Sequence, residues 1–326
     1  MTNNKRKKSP PAQGMRQQWL DIPQKIRDLT EEYLGAKVIN TETQLGGFSP
    51  GVATRLHTVD NRWVFLKAIG TELNPTSVNF HRQEIKVNAV LPDNSLAPKL
   101  LWSYDDADDT EWVVLLFDNI DGSNPKTPWS DNDLQRVMKA MSQLSEQLTS
   151  PTISYPIPSA KDHFASRIHG WQRIKTGKSI NIEQLDDWSK HHLDALCELE
   201  KEAPKAVEGQ TLLHFDIRAD NIVMTDDAVW FVDWPHASIG AAWVDVVLFA
   251  PSVVMQGGLQ PQDLIQLHPA FDDADPDAVT AAIVSMAGMF SYQSLLPAPP
   301  GLPTLREFQR ALGETSRAWV AQRTGW

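Results

Sequence analysis

Residues 211–235, TLLHFDIRADNIVMTDDAVWFVDWP, constrain the chain more than any other stretch. The apolar run Thr211–Leu213 enters a polar loop at His214, Ile222–Met224 returns as a strand, Asp226-Asp227 turns it, and Ala228–Val232 forms a second short strand. Strand ends arranged this way bring their polar residues to one edge. Asp216 and Asn221 stand five positions apart, and Asp233 follows directly after the apolar run ending at Val232. Taken singly, each is an ordinary turn-capping side chain. Their order, spacing and apolar flanks together mark a site.

Phosphoryl transfer needs a carboxylate to accept a hydroxyl proton and oxygen ligands to hold magnesium against nucleotide phosphates. Asp216 supplies the first, Asn221 and Asp233 the second. The pattern His-x-Asp-x-x-x-x-Asn, with an Asp after the next strand, resembles the catalytic and metal-binding loops of the eukaryotic-like kinases. Because Trp234 rather than Phe-Gly follows Asp233, the chain is more similar to the aminoglycoside phosphotransferase family, whose members phosphorylate small molecules. Two residues depart from that pattern: Phe215 stands where the family usually has Gly, and Pro235 stiffens the turn after Asp233-Trp234. Arg218 occupies the position where many protein kinases carry a lysine facing the transferred group. The resemblance implies a fixed catalytic cation there, with a plain loop pairing to Asp220 as the equal alternative.

The N-terminal part reads as a helix over Trp19–Leu34 stopped by Gly35, then strands from Val38, over Val52–Val59 and over Arg62–Ile69, the last two joined by an Asp60-Asn61 turn. Between the first two strands lies Gly46-Gly47-Phe48-Ser49-Pro50-Gly51. Backbone N–H groups of Gly47, Phe48 and Ser49 are placed to approach a nucleotide, although the spacing is not GxGxxG. The same residues match a hydrolase G-x-S-x-G elbow, but Pro50 has no N–H for an oxyanion hole and a strand, not a helix, follows. Lys67 falls on the third strand, where the resemblance implies a lysine holding the α and β phosphates. A helix over Asn79–Leu91 offers Glu84 as its partner, with Glu72 a rival acid in reach. Strands at Pro98–Trp102 and Trp112–Phe117 lead into Leu116–Gly122, which the resemblance makes the hinge whose backbone binds adenine, at Phe117 and Asn119.

The remainder reads as mostly helical. Ser130 caps a helix with an apolar stripe from Leu134 to Leu148, and helical patterns follow at Phe164–Ile174, Ile182–Glu202, Gly240–Phe249, Ala278–Gln293 and Leu305–Arg323. His191 and His192 are adjacent, poor joint metal ligands, and read as exposed. By resemblance, Asp245 accepts hydrogen bonds from the catalytic-loop backbone.

The expected fold is therefore α+β and two-lobed, protein-kinase-like: a basic disordered tail over 1–14, a lobe over 15–118 with a small antiparallel sheet, and a mainly helical lobe over 119–326, with ATP and Mg2+ between them. With 41% hydrophobic and 22% charged residues among 326, the chain has ample material for a core. One cysteine forms no internal disulfide, and no run of about 18 apolar residues spans a bilayer, so a cytoplasmic protein without membrane contact is expected. A net charge of -11 repels nucleic acid. The acids Asp186-Asp187, Glu198, Glu200, Glu202 and Asp272–Asp277 imply a cationic small-molecule acceptor if they line a cleft, and plain solvated helix faces if they do not. The expected activity is transfer of the γ-phosphate of ATP to a hydroxyl of a small molecule such as an aminoglycoside or amino alcohol. A nucleotide-binding module without catalysis would show damage at Lys67, Asp216, Asn221 or Asp233, and none is seen. A protein kinase would carry Asp-Phe-Gly and Ala-Pro-Glu, and neither is present.

Overall fold

Alternating apolar residues in the first 118 positions build one sheet with both faces covered. A computed structural model describes residues 10, 16–44, 46–48, 50–105, 112–149, 156–177, 180, 182–299 and 301–326. Its strands Val38–Thr43 (β1), Val52–Thr58 (β2), Trp63–Gly70 (β3), Leu100–Asp105 (β4) and Trp112–Asp118 (β5) pair antiparallel in the order β1-β2-β3-β5-β4. Period-two alternation sends Val64, Leu66 and Ala68 to one face, with Ile26 and Leu34 of the helix Gln24–Leu34 (α1). Ile69 of β3 and Val113, Leu115 and Phe117 of β5 pack on the other, with Val78 of the helix Pro75–Asn88 (α2). Lys67 thus shares the α2 face, which is how a strand cation meets a helix carboxylate.

Two helix starts differ from the sequence expectation, both because of proline. Trp19–Asp21 is a lone 3-10 turn, and α1 begins only after Pro23, which occupies the N-cap. α2 begins earlier than expected, at Pro75, because the Asn74 side chain accepts the Ser77 N–H at 3.0 Å and a proline suits the first helical position.

Beyond β5 the chain is mainly helical: Asp131–Gln147 (α3), Ala160–Ser166 (α4), Trp171–Lys175 (α5), Asp187–Ala206 (α6), Val244–Met255 (α7), Pro261–Ile265 (α8), Pro276–Ser294 (α9) and Leu305–Thr324 (α10). Two antiparallel pairs are set among them, Thr211–Leu213 (β6) with Ser238–Gly240 (β9) and Ile222–Met224 (β7) with Val229–Phe231 (β8). Gly240 ends a strand, paired with Thr211, rather than opening a helix, and a Cβ there would lie 2.7 Å from that of Ala160. The expected helix over Phe164–Ile174 breaks into α4 and α5 at Gly170, where a Cβ would lie 1.8 Å from the Gly288 carbonyl oxygen of α9. His192 is half-buried rather than exposed, stacked on Trp326 with ring centres 5.0 Å apart. Cys197 is free and buried. No helix among the described residues is long and apolar enough to cross a membrane. Apart from Pro10, the expected tail over 1–14 lies outside the described residues, as does Ser49.

Candidate active site

The loop after β6 is held from below by α7. Asp245 accepts the N–H of His214 at 2.9 Å and of Phe215 at 2.7 Å, and burial, opposed by these bonds, pushes its carboxyl up to about 6. Phe215 adopts a φ of 69°, a left-handed conformation that favours glycine. His214 is fully buried; its Nδ1 accepts the Asp216 N–H at 3.3 Å while Nε2–H donates to the Val232 carbonyl at 2.9 Å. The ring is neutral, burial holding it down to about 4, and it ties this loop to the segment ahead of Asp233.

The β7–β8 pair then brings the remaining groups together. Val232 N–H donates to the Asn221 carbonyl at 2.9 Å, which sets Asn221 beside Asp233. Asn221 Nδ2 donates to the Asp216 backbone oxygen at 2.8 Å and to its Oδ2 at 3.1 Å, leaving the amide oxygen as the donor for a cation. Burial raises Asp216 above the usual carboxylate range despite the nearby Arg218 charge.

Lys67 joins the two lobes. Its Nζ donates to Glu84 Oε1 at 2.7 Å and Oε2 at 2.9 Å, and to Asp233 Oδ1 at 2.7 Å. Glu84 is only 2% exposed and also accepts the Trp234 N–H at 3.3 Å, so it, not Glu72, is the lysine's partner. Burial works against the charge on Asp233, but the Lys67 ammonium outweighs it and holds the carboxyl well below its ordinary range. The same two carboxylates overcome burial to keep Lys67 above its usual value.

Arg218 takes the pairing alternative. It donates to both Asp216 oxygens at 2.7 and 2.9 Å and to Asp220 at 3.0 and 2.8 Å, so its guanidinium is clasped between two carboxylates. Its Cζ lies 5.7 Å from the centre of the Phe48 ring, which packs edge-on against Phe308 of α10 at 5.1 Å. Phe48 therefore faces the helical lobe and does not line the cleft, whereas Gly47 does.

A cleft between the lobes is lined by Lys67, Glu84, Asn221 and Asp233 and, at the exit of β5, by Phe117 and Asn119. Asn119 Oδ1 is buried there without a hydrogen-bond partner. Arg55 of β2 donates to the carbonyls of Ile120 at 3.1 Å and Gly122 at 3.0 Å, fixing the strand exit. An orphaned amide oxygen beside a cleft that also holds Lys67 and Arg16 fits a nucleotide, whose base carries donors and whose phosphates carry charge. Among the described residues no three His, Cys, Asp or Glu side chains form a metal cage. Two protein oxygens, from Asn221 and Asp233, suit Mg2+, which keeps water and phosphate ligands for the rest.

Arg16 is the residue that sequence reasoning missed. It lines the same cleft, and burial pushes its guanidinium below the ordinary value against the pull of Asp233 and Asp220. A single basic residue ahead of the first helix has no motif or periodicity to mark it. The acids expected to attract a cation are largely committed elsewhere. Asp186 caps α6 and pairs with Arg317 at 3.0 Å, Glu200 caps α5 through three N–H bonds, Asp275 caps α9, and Glu198 pairs with Lys201 at 2.6 Å. None of the acids in that set lines the cleft.

A model of the "phosphotransferase enzyme family" matches residues 58–278. No curated protein matches the chain by sequence. Among solved structures, the spectinomycin phosphotransferase APH(9)-Ia in complex with ADP and spectinomycin is 12% identical, with a TM-score of 0.60 over 93% of this chain and 99% of that one. A thermostable mutant of the aminoglycoside phosphotransferase APH(4)-Ia, in ternary complex with AMP-PNP and hygromycin B, is 13% identical, with a TM-score of 0.62 over 92% and 99%. The choline kinase LicA from Streptococcus pneumoniae is 13% identical, with a TM-score of 0.58 over 90% and 99%. The two-lobed, protein-kinase-like α+β fold expected from the sequence is the fold of the chain.

Proposed function

We propose that this chain, which belongs to the phosphotransferase enzyme family, transfers the γ-phosphate of ATP to a hydroxyl of a small molecule. The observation that carries the reading is the interlocked set at the cleft: Lys67 clamped by Glu84 and Asp233, and Asn221 bonded to Asp216. In this reading residues 15–118 cover the nucleotide and residues 119–326 carry the reacting groups and the acceptor site. Phe117 and Asn119 edge the adenine pocket, and Gly47 lies over the phosphates.

Asp216 is the general base, orienting the acceptor hydroxyl and receiving its proton, and a carboxyl raised by burial is better matched to that task than an ordinary one. Lys67 holds the α and β phosphates, and Glu84 positions Lys67. Asn221 and Asp233 would hold Mg2+, which neutralises phosphate charge when bound. Arg218, clasped by Asp216 and Asp220, acts by orienting Asp216 rather than by meeting the phosphate. The nucleotides in the neighbouring structures support ATP as donor, and their acceptors favour hydroxylated, amine-bearing compounds. A cytoplasmic enzyme acting on such compounds is consistent with a chain that has a buried free thiol.

The test is ATP consumption by purified protein against a panel of aminoglycosides, other amino sugars, amino alcohols and macrolides, with Asp216→Asn as control. Turnover of at least one compound, lost by about a thousandfold in the variant, is the expected result. Turnover that survives Asp216→Asn unchanged would remove Asp216 as base, and a wild type that neither binds nor hydrolyses nucleotide would remove the reading.

A further inference from the structure

We infer that Arg16 is a phosphate-binding residue of this nucleotide site, supplied by the segment ahead of the first helix; the inference rests on the nucleotide reading above. The segment is clipped to the glycine loop, since Arg16 bridges Gly51 in parallel and the Gln17 N–H donates to the Gly51 carbonyl at 3.1 Å. From there the Arg16 side chain runs beneath the loop. Its Nη2 donates to the Gly46 carbonyl, and a Cβ placed on Gly47 would lie 3.0 Å from that nitrogen and 3.9 Å from Asp220 Oδ2. The guanidinium therefore stands in the cleft wall between the glycine loop and the catalytic loop, along with Lys67 and Asp233.

Charge balance gives this position its meaning. The cleft and its floor hold five carboxylates, Glu84, Asp118, Asp216, Asp220 and Asp233; Lys67 is bound to Glu84 and Asp233, Arg218 to Asp216 and Asp220, and Arg16 stands in the field of Asp233 and Asp220. A triphosphate adds roughly four more negative charges to such a site, so a further fixed cation is needed beside the metal. A guanidinium, always charged and forked, suits phosphate oxygens better than an ammonium does. The loop above lacks GxGxxG spacing, and its Phe48 ring is turned toward α10.

A role confined to anchoring the loop predicts something different. Calorimetric titration of adenosine, ADP, AMP-PNP and tripolyphosphate into wild type, Arg16→Gln and Arg16→Lys separates the two. Gln keeps a donor for the Gly46 carbonyl but has no charge; Lys keeps the charge. With Arg16 on phosphate, Arg16→Gln weakens AMP-PNP and tripolyphosphate by about tenfold or more, leaves adenosine within about twofold, and is partly rescued by Lys. Equal affinities for AMP-PNP in Arg16→Gln and wild type, or an equal loss for adenosine and AMP-PNP, would overturn the inference while leaving the enzyme assignment standing. Thermal melting without ligand reports whether each variant is folded. A wild type that binds none of the four probes would instead remove the nucleotide reading, and this inference with it.

Discussion

At the scale of single residues, Phe215 shows how a departure from a family pattern can be absorbed. Its φ of 69° is costly for a side chain bearing a Cβ, and the position is held by the Asp245 bond and by ring contacts to His163 at 5.2 Å and Phe164 at 6.2 Å. Comparing Phe215→Gly with Phe215→Ala isolates the backbone, since both lose the ring but only glycine relieves the conformation. The glycine variant is expected to be the more stable by about 1 kcal/mol in urea unfolding, and an alanine variant equal to it would show that no strain is stored there. The Lys67 cluster makes a second prediction. Lys67→Met and Asp233→Ala should each lower kcat/KM by about a thousandfold, and Glu84→Gln by less, because Glu84 acts only through the lysine. Steady-state kinetics that ranked Glu84→Gln below Lys67→Met would contradict that order. These residues were legible in the sequence because chemistry fixes their types and spacing. Arg16 was not, because nothing local to it indicates where the unpatterned chain before α1 will run.

Elements carry the next set of constraints. β3, the β6–β9 pair and α7 place the site; the sequence marked β3, β6 and the apolar run of α7, but not β9. It failed where two elements approach closer than a side chain allows, at Gly170 against Gly288 and at Gly240 against Ala160, since such contacts depend on distant residues. The placement of Asp245 on α7 has a pH signature. Its carboxyl is raised from 3.8 to about 6 in the fold, so the folded state binds the extra proton between those values and the unfolded chain does not. Its contribution to stability is thus fully present below about pH 4 and is lost as pH rises through 6. Urea unfolding of wild type and Asp245→Asn should show the wild type losing ground to the variant by on the order of 3 kcal/mol between pH 4 and 7. Parallel profiles would mean that the carboxyl is not perturbed.

For the whole molecule, the lobes are joined at the chemistry itself: Lys67 to Asp233 and Trp234 to Glu84 cross between them, while Arg55 ties the connecting strand exit to the sheet. The glycine loop makes a further crossing, through Phe48 on Phe308. That contact sits some 260 positions apart in the chain, so α10, the last helix, acts as a latch on a loop near the first. In the proposed nucleotide reading this contact resists lifting of the loop, so its strength should enter the dissociation rate of ADP even though Phe308 lies outside the cleft. Stopped-flow measurement with a fluorescent ADP analogue should find faster release from Phe308→Ala, by about five- to tenfold, the aromatic pair being worth roughly 1 kcal/mol or a little more. An unchanged rate would show that the loop opens without parting the rings. A substitution remote from the cleft can thereby tune how readily the roof over the proposed nucleotide site lifts.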